Sequence, residues 1–263
     1  MSYNIIITDS GFPDNAPEKE VLDSIQGCVT NIQCRDEAGL KSQVGEADAL
    51  IVQWAPITKN VIENLSRCKV IVRYGIGMDN IDLAAAREKG IPVCNVPDYC
   101  INEVADHTIA LALGALRQIK ETDLRIREGV WKIILPRPVA SFSSLDFCIA
   151  GFGRIARQVA RGVVGLGFKV SAYDPFVDQA VFDAAGVQRL TIDQLLKQAD
   201  ILSLHLPLTA DTHHFINKAT LEKMKPGSLI VNTSRGGLIN ASDLAAALAS
   251  QELWCAALDV FEE

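Results

Sequence analysis

Several stretches of this 263-residue chain set glycines or ionisable side chains directly behind an apolar run. In open α/β sheets that is where ligands bind. Phe147-Cys148-Ile149-Ala150-Gly151-Phe152-Gly153-Arg154-Ile155-Ala156 has the spacing G-x-G-x-x-A. Gly151 permits a tight turn, Gly153 lets the backbone approach a pyrophosphate, and the small Ala156 lets the following helix pack close to its strand. The free N–H groups where that helix begins favour an anion. A second run, Lys169–Tyr173, ends in Asp174, 18 residues after Ala156. An acid there accepts hydrogen bonds from both ribose hydroxyls and repels a 2′-phosphate, which points to NAD(H) rather than NADP(H). The other reading of Asp174 is a helix cap in an Asp-Pro turn.

Further along, Leu229–Asn232 runs directly into Thr233, Ser234 and Arg235. The planar fork of an arginine matches a carboxylate; the alternative is a surface arginine that closes a strand. Ile201–His205 leaves through Leu206 and Pro207, and Ala256–Val260 carries Asp259, which fits a ligand contact or a turn cap. In the first half, Val72-Arg73-Tyr74-Gly75-Ile76-Gly77 is a strand followed by a glycine-spaced turn. Successive N–H groups of Gly75, Ile76 and Gly77 can form an anion nest with Arg73 beside it, or simply turn the chain. Trp54 follows another strand and either lines a cleft or packs.

The elements that would position these groups are legible as alternating patterns. Strand-like runs at Asn4–Thr8, Ala49–Gln53, Val70–Tyr74, Pro92–Asn95, Phe147–Ala150, Lys169–Tyr173, Ile201–His205, Leu229–Asn232 and Ala256–Val260 are mostly apolar at every position. That marks strands buried on both faces, hence parallel sheets covered by helices. Helical patterns at Asn102–Gln118, Arg154–Gly165, Ile192–Gln198 and Ser242–Ser250 lie between them. The expected class is α/β, with two doubly wound parallel-sheet domains. The alternation breaks once, between Pro97 and Phe147. Asn102–Gln118 is apolar nearly all round and is predicted to be buried; Lys120–Glu128 is charged; Ile133, Ile134 and Leu135 suit either an arm that docks on a second subunit or an irregular loop.

Composition bounds the function. Hydrophobic residues are 49% and charged residues 22%, which is globular. The net charge of −7 argues against nucleic-acid or anionic-membrane binding. The longest apolar run, Ile109–Leu116, is eight residues, too short for a membrane span. The first residues lack the features of a signal peptide. Seven cysteines with no Cys-x-x-Cys pair, several of them within apolar runs (Cys94, Cys148, Cys255), suggest reduced, buried thiols in a cytoplasmic protein, with neither disulfides nor a metal site.

Taken together, Arg73–Asn80, Val93–Pro97, Glu103–Thr108, Gly151–Ile155, His205–Thr209, Met224–Gly227, Val231–Gly237 and Ala257–Phe261 resemble the D-isomer-specific 2-hydroxyacid dehydrogenases over nearly the whole chain. Cys94–Pro97 and His213–Asn217 are most similar to the branch holding the C-terminal-binding proteins, next to the phosphoglycerate dehydrogenases. The resemblance implies a flavodoxin-like substrate domain over 1–98, lacking its return segment, and a Rossmann NAD-binding domain over 99–263, with a hinge helix and a dimerisation arm at 99–146. It implies hydride transfer between NAD(H) and a small 2-hydroxy or 2-keto acid, in a homodimer. Arg235 would be catalytic. Arg73, Gly75, Ile76 and Gly77 would bind substrate. Gly151, Gly153, Arg154, Ile155, Asp174, Leu206, Pro207, Thr233 and Asp259 would bind the cofactor.

The family also uses a glutamate five residues after the match to Asp259, at what would be position 264, and a histidine further along as general acid/base. Glu262 and Glu263 match the two residues before that glutamate and inherit no role. The expectation is therefore a truncated chain that binds NAD(H) and turns over poorly. His107 is read as a packed helix histidine, and His205 is given no acid/base role. The alternative function is an NAD(H)-sensing binding module related to co-repressors.

Overall fold

The computed structural model describes residues 2–131 and 138–262, so the arm expected at Ile133, Ile134 and Leu135 lies outside the described residues. The chain divides into two compact units, one ending at Tyr99 and the other starting at Cys100.

The first unit is a five-stranded parallel sheet made of β1 (Tyr3–Ile7), β2 (Gly27–Asn31), β3 (Ala49–Val52), β4 (Val70–Arg73) and β5 (Val93–Cys94). Its helices are α1 (Ala16–Asp23), α2 (Glu37–Val44), α3 (Lys59–Asn64) and α4 (Leu83–Glu88). Strand order is β2-β1-β3-β4-β5, the flavodoxin-like winding with its switch point between β1 and β3. Local chemistry starts three of the helices: Asp36, Thr58 and Asp82 accept N–H bonds from Gly39, Val61 and Ala85. Ile5, Ile6 and Ile7 are all buried because β1 is covered on both faces. Ile6 joins Leu40, Leu50, Val61 and Ile71 on one face, while Ile5 and Ile7 join Ile51 on the other.

The second unit opens with α5 (Ile101–Leu116) and α6 (Ile119–Arg127), separated by Gln118 in the left-handed region (φ 51°). A six-stranded parallel sheet follows: β6 (Asp146–Ala150), β7 (Lys169–Tyr173), β8 (Gln188–Arg189), β9 (Ile201–Leu204), β10 (Ser228–Asn232) and β11 (Leu253–Leu258). Between the strands lie α7 (Arg154–Gly165), α8 (Gln179–Ala185), α9 (Ile192–Gln198), α10 (Lys218–Leu221) and α11 (Ala241–Ala249). The order β11-β10-β9-β6-β7-β8 is the Rossmann winding. Leu195, Leu221 and Leu244 cover one face of the sheet; Ala105, Ala112, Val159, Val163 and Phe182 cover the other. Gly162 of α7 lets α5 approach, since a Cβ there would stand 2.5 Å from the Ile109 side chain.

Several expectations need correction. The helix predicted at Asn102–Gln118 is not buried all round: Ala105, Thr108 and Ala112 form the buried stripe, while Asn102, Glu103, Asp106 and His107 are exposed. His107 is accordingly not packed. The charged stretch after it is helical (α6). Two edge strands, β2 and β8, went unread, because a strand with one neighbour and a half-exposed surface has no continuous apolar run. The last strand lies earlier than the predicted Ala256–Val260. Of the cysteines expected to be buried, Cys28 and Cys94 are exposed, while Cys34 and Cys148 are buried.

Candidate dinucleotide and carboxylate site

The glycine turn follows β6. Gly151 has φ 88°, and a Cβ there would stand 2.5 Å from the carbonyl oxygen of His205, so only glycine fits. The buried Phe152 ring stacks on Phe182 at 4.6 Å. The Phe152 amide donates to Asp174 Oδ2 (2.8 Å), and the Phe176 amide donates to Oδ1 (2.9 Å). Asp174 thus bonds within its own turn and also braces the glycine turn; it caps no helix, since α8 starts at Gln179 behind Asp178. Each carboxylate oxygen retains a lone pair. Gly153 is the N-cap of α7 and makes no side-chain cap bond; nothing lies within 4 Å of where its Cβ would be. A helix N-terminus whose cap residue has no side chain suits an anion. Arg154 is exposed at the first helical position, Ile155 is half-buried, and Ala156 is buried. A pyrophosphate at the turn and a ribose diol at Asp174 fit these residues.

On the neighbouring strand, His205 bonds Ala150 through its backbone (2.7 Å) and Ser203 Oγ through Nε2 (2.9 Å). Burial pushes its imidazole down to about 4, so the ring is neutral at neutral pH. Leu206 packs beside Gly151, and Pro207 is exposed.

Arg235 sits in a loop built by Asn232, the buried last residue of β10. Asn232 Nδ2 donates to the Arg235 carbonyl (2.8 Å), and Oδ1 accepts from the Ser234 amide (3.0 Å). Ser234 Oγ donates to the Leu204 carbonyl (2.8 Å), and Arg235 Nη1 donates to the Ser234 carbonyl (2.7 Å). Thr233 Oγ1 bonds the buried Thr108 Oγ1 at 2.8 Å; Thr108 itself donates to the Val104 carbonyl (2.7 Å). Asp259 follows β11: its amide donates to the Asn232 carbonyl (3.0 Å), and its carboxylate lies 3.2 Å from His107 Nε2.

The strand order brings these residues together. Asp174, Gly151, Leu206, Thr233 and Asp259 follow β7, β6, β9, β10 and β11, five neighbouring strands, each at its carboxyl end. Arg235 is two residues beyond Thr233.

The other candidates belong to the first unit. Gly75 has φ 142°, and a Cβ there would overlap the Arg73 guanidinium, 1.5 Å from Nη1. Asn95 Nδ2 donates to the Ile76 carbonyl (2.7 Å), and the Val96 amide donates to Gly75 (3.1 Å), which fixes the 75–77 turn. Trp54 is 47% exposed, with Arg35 over its ring at 4.4 Å, so it does not pack into the core.

Sequence reasoning missed the residues that build these loops. Asp9, fully buried, accepts amides from Gln53, Trp54 and Ala55 (3.1, 2.9 and 3.2 Å) and the Arg35 Nε (3.1 Å). An acid two residues after the isoleucine run Ile5–Ile7 was the available signal. Asn232, a polar residue ending an apolar strand, was another. Thr108 gave none.

Residues 109–263 match the family model described as D-isomer specific 2-hydroxyacid dehydrogenase, NAD binding domain. D-3-phosphoglycerate dehydrogenase of Mycobacterium tuberculosis is 39% identical over 232 residues, covering 86% of this chain and 43% of its own. The chain thus spans less than half the length of that relative. Hydroxypyruvate reductase of Thermotoga maritima is 38% identical over 221 residues, covering 83% of this chain and 71% of its own. Among solved structures, D-lactate dehydrogenase from Aquifex aeolicus, complexed with NAD and lactic acid, is 28% identical with a TM-score of 0.90, covering 99% of this chain and 78% of its own. On this sequence match and this strand-end arrangement, the chain belongs to the D-isomer specific 2-hydroxyacid dehydrogenase family.

Proposed function

We propose that the protein transfers hydride between NAD(H) and a small D-2-hydroxy acid or its 2-keto acid. The observation that carries this reading is the carboxylate of Asp174 hydrogen-bonded to the glycine turn it flanks, beside an uncapped helix N-terminus. Gly151, Gly153, Arg154 and Ile155 would hold the pyrophosphate, Asp174 the adenosine ribose, and Leu206, Pro207, Thr233 and Asp259 the nicotinamide side. Bound there, NAD(H) supplies or accepts the hydride. Arg235 holds the substrate carboxylate with its fork and polarises the carbonyl as negative charge develops on oxygen. Asn232 and Ser234 pre-shape its loop, so little reorganisation accompanies the reaction. In the first unit, which we propose as the substrate domain, the Gly75 amide is taken up by the Arg73 carbonyl (2.9 Å), so Arg73 and the amides of Ile76 and Gly77 are what the turn would offer an anion. Proton transfer is assigned to none of the four histidines: His205 is neutral and bonded to Ser203, His107 faces Asp259, and His213 and His214 face Glu262.

We further propose a cytoplasmic homodimer. Among the described residues no helix is long and apolar enough to cross a membrane. Ile119, Leu124 and Ile126 on α6 and Trp131 beyond it are exposed, which supports docking of a second copy there. NADH oxidation assayed with glyoxylate, hydroxypyruvate, pyruvate and a phosphorylated keto acid tests the reading. NADH consumption with at least one of them, lost in Arg235→Ala, supports it. An absence of NADH binding overturns it.

A further inference from the structure

Two adjacent histidines and a glutamate, unused by the proposed reaction, meet against the Arg235 loop. His214 has a left-handed backbone (φ 52°). Its amide donates to the Gly237 carbonyl (2.8 Å), and its carbonyl accepts Asn217 Nδ2 (2.8 Å). Its Nε2 bonds Glu262 Oε1; His213 Nε2 lies 3.9 Å from the same oxygen, and the two ring centroids are 3.8 Å apart, the rings tilted by 31°. Glu262 Oε2 accepts the Ala241 amide (3.2 Å).

Two imidazoles and a carboxylate are a donor set for a divalent cation, but the hydrogen bonds point elsewhere. Asn240 caps α11, its Oδ1 accepting from the Asp243 amide (3.0 Å). Its Nδ2 is therefore left to donate to His214 Nδ1 (3.4 Å). A ring nitrogen that accepts leaves the proton on the other one, so His214 carries it on Nε2, facing Glu262. That proton occupies the electron pair a metal ion would need.

The bonded pair holds the chain after β11 across the Arg235 loop. A Cβ on Gly236 would stand 1.9 Å from the Phe261 carbonyl oxygen, so this segment lies directly on the residue after Arg235. On the other side, the Ile216 amide bonds Leu238 (2.9 Å), and the Asn240 amide bonds Ile216 (2.8 Å). The loop is thus held between two segments that His214 and Glu262 join.

We propose that His214 and Glu262 are positioning residues, a clasp that seats Phe261–Glu262 on Gly236 and so fixes the loop that presents Arg235. Its catalytic consequence rests on the functional reading above; its structural consequence does not.

The test is amide hydrogen exchange and imidazole ¹⁵N spectroscopy on the full chain, comparing wild type with Glu262→Ala, His214→Ala and Glu262→Gln. The amides of Leu238 and Ile239, which bond Arg235 and Gly236, should exchange about tenfold or more faster in the two alanine variants. Glu262→Gln keeps an oxygen for His214 and should restore most of the protection. The wild-type His214 spectrum should show the Nε2–H tautomer, and Glu262→Ala should lose it. NADH affinity should stay within about twofold, because the glycine turn shares no partner with the clasp. Turnover of a keto acid should fall in kcat with KM for NADH unchanged. Faster exchange confined to Ala241, or stoichiometric tight zinc binding that shifts both histidines, would overturn the clasp. If wild type fails to bind NADH while the exchange pattern holds, the functional reading falls and the clasp stands.

Discussion

Gly151 is the position where a single added carbon would do most harm. Its φ of 88° and the His205 carbonyl 2.5 Å from the Cβ position leave an alanine both strained and overlapping. Gly151→Ala is expected to cost about 2 kcal/mol or more, read from urea unfolding, and to abolish measurable NADH binding by fluorescence. Asp174 acts by charge rather than by space. Asp174→Ala removes an ionised acceptor for the ribose and also leaves the Phe152 amide unpaired, so NADH should bind about tenfold to a hundredfold more weakly, while NADPH loses less. Titrations of the two nucleotides side by side check the ratio. At Arg235, lysine keeps the charge and loses the fork; Arg235→Lys should lower kcat about a hundredfold without changing NADH affinity, as steady-state assays and nucleotide titrations would show. These residues stand out in the sequence because each is a glycine or a charge at the end of an apolar run. Asp9 and Asn232 also close apolar runs, but their work, accepting or donating bonds to loops that only the folded chain brings near, is not legible there, and Thr108 gives no signal at all.

Strands declare themselves when both their faces are buried. β6, β9 and β10, at the centre of the second sheet, are apolar nearly throughout, and sequence and structure agree on them within one residue. Edge strands β2 and β8 carry no such signal, and the short α10 is set by its cap Asn217 rather than by periodicity. α5 shows the opposite error: its alanines and leucines read as a helix buried all round, yet only Ala105, Thr108 and Ala112 are fully buried, while Ile109, Leu111, Leu113 and Leu116 pack on the core half-exposed. The amino edge of the second sheet has its own tie, Lys225, which reaches Asp146 (3.2 Å) and Asp200 (3.0 Å). Burial works against its charge, but bonds to Asp200 and Asp146 outweigh this and hold the ammonium above its ordinary value. Lys225→Met should lower stability by about 1 kcal/mol, a figure already reduced for solvent screening, as chemical denaturation would show.

Across the whole molecule, acid is the condition that loosens most ties at once. Arg67 holds Asp48 below its ordinary 3.8, Thr58 holds Glu37 below 4.5, and His214 holds Glu262 below 4.5. A carboxyl depressed in the folded state contributes stability above its unfolded value and loses it as pH falls through the folded one. His205 adds to this slope from higher pH: burial holds its folded value at about 4 against an ordinary 6.5, so the unfolded chain takes up a proton first as pH falls. The unfolding temperature should therefore decline from about pH 6.5 downward and more steeply below about 4.5, a profile that scanning calorimetry would trace. The doubly wound class of both sheets was legible from the alternation of strands and helices; what covers the exposed α6 face was not, because exposed apolar side chains do not name their partner. Trp131 is 83% exposed; on the proposed homodimer, Trp131→Asp should shift sedimentation from dimer to monomer. The central claim, that a dinucleotide lies across the Gly151 turn with its ribose on Asp174, is met most directly by calorimetric titration of NADH into the wild-type chain and into Asp174→Ala. Saturable one-to-one binding by wild type, weakened at least about tenfold in the variant, is the expected result. Equal affinity in the two proteins, or no binding by wild type, would contradict it.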